Sequence, residues 1–264
     1  LGDSPPLSAL MKPGMKLTIA FDDISLPLPP MRAPDIRQRI IEAVLDTAAQ
    51  NNVDDVHIIA ALALHRRMTE SELRHAVGNR VYDAFAPSGH LYNHDAEDPE
   101  GMTVIGTTPH GEEVQINRRA AESDLIVYVN INLVAMDGGW KSTATGLSGY
   151  TALRHHHNPQ TMVKSRSFMD QESSELHRSN WRQGKVLRDS NIKIFQIETT
   201  VNNNTFGFDG PLAMMQKREW EWSLRDRTAF IGYQAGLRRM TTSAKRKIFN
   251  SWHSPYELTS VQAG

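Results

Sequence analysis

Asp124-Leu125-Ile126-Val127-Tyr128-Val129-Asn130, followed after a short linker by Met136-Asp137-Gly138-Gly139-Trp140-Lys141-Ser142-Thr143-Ala144, is the stretch that decides how this 264-residue chain folds. Its first part is an apolar, β-branched run of strand length, and its second part is a glycine turn leading into a helix. Units of that kind build α/β sheets, whose ligands gather at the carboxyl ends of the strands. Glycines let backbone N–H groups approach a ligand, and the first turn of a helix presents donors with a partial positive charge. The turn therefore predicts an anion-binding entrance with Lys141 beside it and Arg154-His155-His156-His157-Asn158 shortly after. Taken alone, a Gly-Gly pair is only a turn and a lysine only a solvated charge. Consecutive histidines on a helix point about 100° apart, so at most two of the three can face one centre.

Working toward the N-terminus, the same logic recurs. Lys16-Leu17-Thr18-Ile19-Ala20-Phe21 reads as a strand, and Asp22 and Asp23 stand at its carboxyl end before a proline-rich segment that forbids further pairing. Between Pro34 and Gln50 the positions Ile36, Ile40, Ile41, Val44, Leu45 and Ala48 recur at helical spacing. Val56 to Leu64 is an almost wholly apolar strand of the kind buried on both faces of a parallel sheet. It runs into His65-Arg66-Arg67, which suits an anionic substrate, and Thr69-Glu70-Ser71-Glu72 opens the next helix. Leu91 to Ala96 reads as a polar loop carrying His94, and Met102 to Asn117 as a hairpin turning at Pro109-His110-Gly111. Arg118 to Ser123 is a short helix or turn. Strands and helices thus alternate to about residue 157, which predicts a mostly parallel, doubly wound, Rossmann-like sheet.

Toward the C-terminus, Phe168 to Arg182 reads as a polar helix, Ile192 to Val201 as a strand, Asn202 to Gly210 as a turn-rich loop, and Leu212 to Leu237 as one long helix carrying Trp220 and Trp222. Arg238, Arg239, Lys245, Arg246 and Lys247 form a basic cluster, a solvated helix face in the plain reading; without interleaved aromatics it does not define a nucleic-acid site. A formal net charge of −1 gives no general drive toward nucleic acid or membrane. The chain has no cysteine, which excludes disulfides, thiolate metal sites and thiol nucleophiles, and no apolar run long enough to span a bilayer. The expected setting is the cytoplasm. Residues 1–14 read as an irregular lead-in, 15–250 as the α/β domain, and 251–264 as a linker or the start of a truncated or reduced further domain.

Four segments in this order resemble the nickel-dependent lactate racemase family, specifically its N-terminal domain. Asp23-Ile24-Ser25-Leu26-Pro27-Leu28-Pro29 is similar to its Asp-x-Thr-Arg-Pro-x-Pro segment, and Ala63-Leu64-His65-Arg66-Arg67 to its Gly-Thr-His-Arg-Pro segment. Asn93-His94-Asp95 matches an Asn-His-Asp segment, and Gly138-Gly139-Trp140-Lys141 a Gly-Gly-Arg-Lys loop. The family places a nickel-binding histidine sixteen residues after that lysine, and here the count lands on His157. The resemblance spans roughly residues 15 to 160. It implies a nickel pincer nucleotide, a nicotinate-derived mononucleotide whose sulfur and carbon atoms hold the metal, anchored covalently on Lys141, with Gly138, Gly139, Arg66, His94 and Asp23 around it. It implies His65 as the base that takes a hydroxyl proton while hydride moves to the cofactor, Asp23 as its orienting group, and His157 as the nickel ligand. The implied activity is racemisation or epimerisation of a 2-hydroxy acid, with cofactor-biosynthesis proteins as partners.

The sequence departs from the family pattern at definite places. Leu26 stands at the arginine of the first segment, Ala63 and Leu64 at the glycine and threonine before the histidine, and Arg67 at the proline after it. Ile131 stands ten residues before the lysine, where the family carries a second acid/base histidine. His94 and Asp137 are the candidate stand-ins. These departures motivate the alternative of a catalytically diverged homologue that binds a small anionic ligand or metal in the same cleft.

Overall fold

The computed structural model describes residues 4–23, 31, 33–203, 212–251 and 256–263. Ile24 to Pro29 of the first motif, with Leu26, lie outside the described residues. Tertiary contacts divide the chain into one unit of residues 1–25, 34–200 and 259–264 and a second of residues 26–33 and 201–258.

The first unit opens with α1 (Leu7–Leu10), inside the stretch expected to be irregular, and β1 (Lys16–Asp22). Asp35 caps α2 (Ile36–Gln50) by accepting the Arg37 N–H, and the apolar stripe of that helix buries Ile36, Ile41, Val44 and Ala48. β2 spans Asp55–Ala61, stopping short of the expected Leu64. Both halves of the Thr69/Glu72 capping box form at the start of α3 (Glu70–Val77), and Gly78, at φ +83°, turns the chain into α4 (Asn79–Phe85). Leu91–Asn93, expected as loop, is a short strand, β3, because it completes the ladder on β2 from Ile58 to Ala60. The hairpin β4 (Met102–Thr107) and β5 (Glu113–Asn117), α5 (Arg118–Ala121) and β6 (Leu125–Asn132) follow. Next come α6 (Trp140–Gly146), α7 (Tyr150–Leu153) and α8 (Pro159–Lys164). α9 (Glu175–Asp189) begins later than the expected Phe168, where Ser174 caps it, and leads into β7 (Ile194–Asn203).

The main sheet has the order β3-β2-β1-β6-β7-β8, where β8 is Tyr256–Ala263. Every pairing from β3 to β7 is parallel. The chain builds outward from β1 through β2 and β3, then returns to the other side of β1 with β6, so the order reverses between β1 and β6. Open α/β sheets form their ligand crevice at that reversal. Alternation along the strands feeds two cores: Leu17, Ile19, Phe21, Val127 and Val129 pack with Ile41, Val44, Leu73 and Val77 on one face. On the other, Ala20, Ile126 and Tyr128 pack with Ala144 of α6, Leu147 just after it and Leu187 of α9. Helices cover both faces, and the fold is the doubly wound α/β sheet expected.

In the second unit, α10 is Leu224–Arg239 and α11 is Thr242–Ser251. The single long helix expected from Leu212 does not form. Ser223 and Asp226 make a reciprocal cap that starts α10 at Leu224, so Trp220 lies in a preceding 3-10 turn and Trp222 just after it. Arg238 and Arg239 fall in the last turn of α10, where cations complement the helix dipole. No helix among the described residues is long and apolar enough to cross a membrane.

Candidate active site

Asp22 and Asp23 leave the carboxyl end of β1, and His65 follows that of β2. In the parallel register Asp22 lies opposite Ala61, so the chain after β2 bends back toward β1. Asp23 Oδ2 is 2.9 Å from His65 Nδ1, with the aspartate side chain buried and the imidazole half exposed. The hydrogen bond to Asp23 raises the His65 pKa above its ordinary value, against burial and the nearby Lys141 charge, which lower it. Ala63 adopts φ +50° at the bend before His65. That is a left-handed conformation suited to glycine, which the related motif carries at this place.

The glycine turn after β6 holds Gly138 at φ +85° and Gly139 at φ +60°. A Cβ on Gly138 would come within 2.7 Å of both Asn132 Oδ1 and Glu198 Oε2, so the close approach excludes any side chain there. The Gly139 N–H, expected to face a ligand anion, instead donates to Glu198 Oε1 at 3.0 Å. Glu198 Oε2 accepts from Asn130 Nδ2 at 2.6 Å and Asn132 Nδ2 at 3.0 Å, and Gln196 Nε2 donates to the Gly139 carbonyl at 2.7 Å. The protein thus places its own carboxylate where the sequence predicted a phosphate cradle. Nothing local marks Glu198, an acid in an alternating strand, as part of the turn.

Lys141, in the first turn of α6, donates to Asp137 Oδ1 at 3.0 Å, and Asp137 Oδ2 accepts the Leu133 and Val134 N–H groups. Lys141 lies in the wall of a cavity of about 440 Å³, together with Gly139, Trp140, His177, Asn180 and Gln196. That volume is in the range of small-molecule sites. Trp140 packs so tightly on α9 that a Cβ at Gly184 would fall 2.2 Å from its ring. In this wall Asn180 Nδ2 and His177 Nδ1 are buried and have no hydrogen-bond partner among the described residues. Unpaired buried donors or acceptors are costly, and a polar ligand would satisfy them.

His155, His156 and His157 follow α7 in a turn, not a helix as expected. His156 is buried, which drives its pKa down to about 3. Its Nδ1 lies 3.0 Å from His157 Nδ1, so one of the two rings donates to the other. His157 is the more exposed ring; desolvation lowers its pKa, and the charges of His65 and Lys141 lower it further. Lys141, His65 and His157 therefore lie within electrostatic reach of one another, although His65 and His157 do not line the Lys141 cavity. Among the described residues no group of three or more His, Asp or Glu side chains could hold a metal. A metal beside His157 would take most of its ligands from a non-protein group.

Residues 2–170 match the model of the lactate racemase N-terminal domain. The chain belongs to that family. A lactate racemase of Thermoanaerobacterium thermosaccharolyticum is 29% identical over 112 residues, covering 41% of this chain and 25% of the relative. One from Lactiplantibacillus plantarum is 26% identical over 159 residues, covering 59% and 35%. The structure of the lactate racemase apoprotein from T. thermosaccharolyticum superposes with a TM-score of 0.60 at 22% identity, covering 75% of this chain and 46% of that one. A Thermotoga maritima protein superposes with a TM-score of 0.54 at 15% identity, covering 73% and 47%. These structural likenesses carry the α/β fold. The chain spans a quarter to just under half the length of these relatives.

Within this lactate racemase N-terminal domain, two of the expected cofactor contacts are turned elsewhere. His94 is buried, with Nε2 2.9 Å from the Ser148 carbonyl and Nδ1 3.3 Å from Asn117 Nδ2, so both ring nitrogens are engaged inside the protein. Arg66 makes a two-pronged ion pair with Glu72 at 2.8 and 2.6 Å, and Arg67 pairs with Asp95. Ile131 is buried, and its N–H donates to Asp22 Oδ2 at 2.6 Å. Asp22 was visible as a strand-end acid but not as a partner of that position. Loss of hydration among Tyr128 and Ile131 pushes its pKa up to about 7, and the charge of Asp137 adds to this. The Ile131 N–H, Lys141 and Arg37 oppose the rise.

Proposed function

We propose that this domain carries the cofactor of a 2-hydroxy acid racemase or epimerase, with a nickel pincer nucleotide anchored on Lys141 and its nickel bound by His157. What supports the reading is the Asp23–His65 pair just beyond the carboxyl ends of β1 and β2, with Lys141 in the helix that follows β6 and its charge acting on both His65 and His157. When bound, the group supplies a hydride acceptor and soft ligands for nickel in place of the thiolates that a chain without cysteine lacks.

The rest is work for the chain's own side chains. With Nδ1–H held by Asp23, His65 keeps Nε2 free to take the hydroxyl proton of the substrate, and the aspartate stabilises the imidazolium that results. Asp137 fixes the Lys141 amine at the wall of the cavity. The unsatisfied Asn180 and His177 atoms in that wall would hold polar atoms of the anchored group. A phosphate would bind away from the glycine turn, which Glu198 already occupies. Cofactor-biosynthesis proteins are the implied partners and the cytoplasm the implied setting.

Ile131 and Glu198 favour a second reading, a diverged homologue that binds a small anion or metal in the same crevice without turnover. One experiment separates them: production of the protein together with the cofactor's biosynthetic enzymes, followed by intact mass, nickel analysis and turnover of a panel of 2-hydroxy acids. The racemase reading expects added mass that Lys141→Ala removes, and isomerisation that His65→Ala abolishes. A bare polypeptide mass at Lys141 overturns it.

A further inference from the structure

The two unpartnered polar atoms in the wall of the Lys141 cavity both come from α9. His177 and Asn180 stand three positions apart on that helix, so they share a face, and Gly184 continues it one turn further. The bare Gly184 leaves the seat into which the Trp140 ring packs, and the indole is held there as part of the same wall. Asn180 is only 3% exposed. Its Oδ1 accepts the Thr145 hydroxyl at 3.0 Å, which fixes the amide, and the atom left without a partner is the donor, Nδ2. His177 Nδ1 is likewise buried and unpartnered, and the Lys141 charge acts on that ring. Among the described residues no carboxylate lines this cavity, whereas Lys141 does. A cation, an amide donor and an imidazole without a competing acid are complementary to an oxyanion.

The rest of the crevice narrows which oxyanion this is. The glycine turn, where a phosphate would ordinarily bind, has its Gly139 N–H taken by Glu198 at 3.0 Å. His65 and His157, which the racemase reading places at the substrate hydroxyl and at the nickel, do not line the cavity. A mononucleotide joined to Lys141 therefore directs its metal-bearing ring out toward those imidazoles and its other end inward. That other end is its phosphate.

We propose that Asn180 and His177 form the phosphate subsite of this domain, taking the phosphate monoester of the mononucleotide anchored on Lys141 in place of the glycine turn. The inference rests on the racemase reading above for the identity of the ligand. Asn180 Nδ2 donates to one phosphate oxygen and His177, in its Nδ1–H tautomer, to another, so each buried atom gains the partner it lacks. Both residues lie beyond the stretch 2–170 that matches the family model, and outside the four motifs of the sequence.

The test needs neither anchoring nor turnover. Isotope-labelled, unloaded protein is titrated with nicotinate mononucleotide, with the matching riboside, with inorganic phosphate and with lactate, and nitrogen NMR follows the Asn180 amide and the His177 ring. The mononucleotide should move both signals and bind about tenfold or more tighter than the riboside. Inorganic phosphate should move the same signals, and lactate should not. Asn180→Asp keeps the acceptor for Thr145 but replaces the donor with a negative charge, and should abolish the preference for mononucleotide over riboside; His177→Phe should reduce it. Equal binding of mononucleotide and riboside by the parent, or an unmoved Asn180 amide at saturation, overturns the subsite. So does a response to lactate but not to phosphate, which would make this a carboxylate site. A parent that shows the phosphate preference yet gains no mass at Lys141 when produced with the biosynthetic enzymes sinks the anchored-cofactor reading and leaves the subsite standing. Added mass at Lys141 without that preference sinks the subsite alone.

Discussion

Replacing Glu198 by glutamine probes the contact that ties the glycine loop to the sheet. The carboxylate receives three donors: two asparagine amides on Oε2, at 2.6 and 3.0 Å, and the Gly139 N–H on Oε1 at 3.0 Å. Glutamine keeps one oxygen for the asparagines but turns an N–H₂ group toward Gly139, so two donors face each other. Hydrogen bonds to a charged acceptor contribute about 1.5–3 kcal/mol each and neutral ones about half that. One charged bond is lost and two are weakened, and partial solvation of Glu198 offsets some of this, leaving an expected loss of about 2–3 kcal/mol. For a chain of this size each kcal/mol lowers the melting midpoint by about 2–4 °C. Thermal and urea unfolding give the total, and amide exchange at Gly139, accelerated by roughly tenfold or more, locates it in the loop. A loss below about 0.5 kcal/mol with unchanged Gly139 exchange would refute the view that Glu198 acts as the loop's internal anion.

Asp23→Asn should bring the His65 pKa down toward or below its ordinary value by NMR titration; an unmoved pKa would mean the pair does not exist in solution. Because the folded His65 pKa is raised, the pair's stabilisation is complete below the unfolded pKa and is lost as pH rises through the folded one, and Asp23→Asn should flatten that dependence. Ala63→Gly relieves a left-handed backbone at φ +50° and should stabilise the protein by about 0.5–1 kcal/mol in denaturant unfolding; destabilisation would contradict that conformation. Burial alone would raise the Glu112 pKa, but hydrogen bonds from Arg182, Ser179 and Thr108 outweigh it and hold the carboxyl down to about 2. Its contribution of about 2–3 kcal/mol is therefore present above pH 4.5 and lost as pH falls toward 2, and Glu112→Gln should remove that acid limb from unfolding curves.

The backbone plan was readable because its signals are local. The apolar runs of β1, β2 and β6, the 3.6-residue stripe of α2 and the Thr69/Glu72 cap each lie within one short window, and their order predicts a parallel sheet with helices on both faces. The start of α10 was equally local, since Ser223 and Asp226 carry the spacing of a cap, but the apolar residues before it extended the helix too far. β3 was beyond reach: three residues have no periodicity, and only the open edge of β2 makes them a strand. His94 shows the same limit for a side chain. A histidine in a polar segment reads as a ligand until the Ser148 carbonyl and Asn117, 54 and 23 residues away, close around its ring.

The sequence by itself determined the order of strands and helices, the glycines of the turn and the family motifs, because each depends on residues a few positions apart. Tertiary structure alone decided which side chains meet: Asp23 with His65 across 42 residues, Glu198 with Gly139 across 59, and Asp22 with the backbone of Ile131 across 109. Those meetings follow from the placing of β2 and β6 on either side of β1 and of β7 beside β6. Strand order is set by how the whole sheet buries its two apolar faces, and no single window of sequence records it.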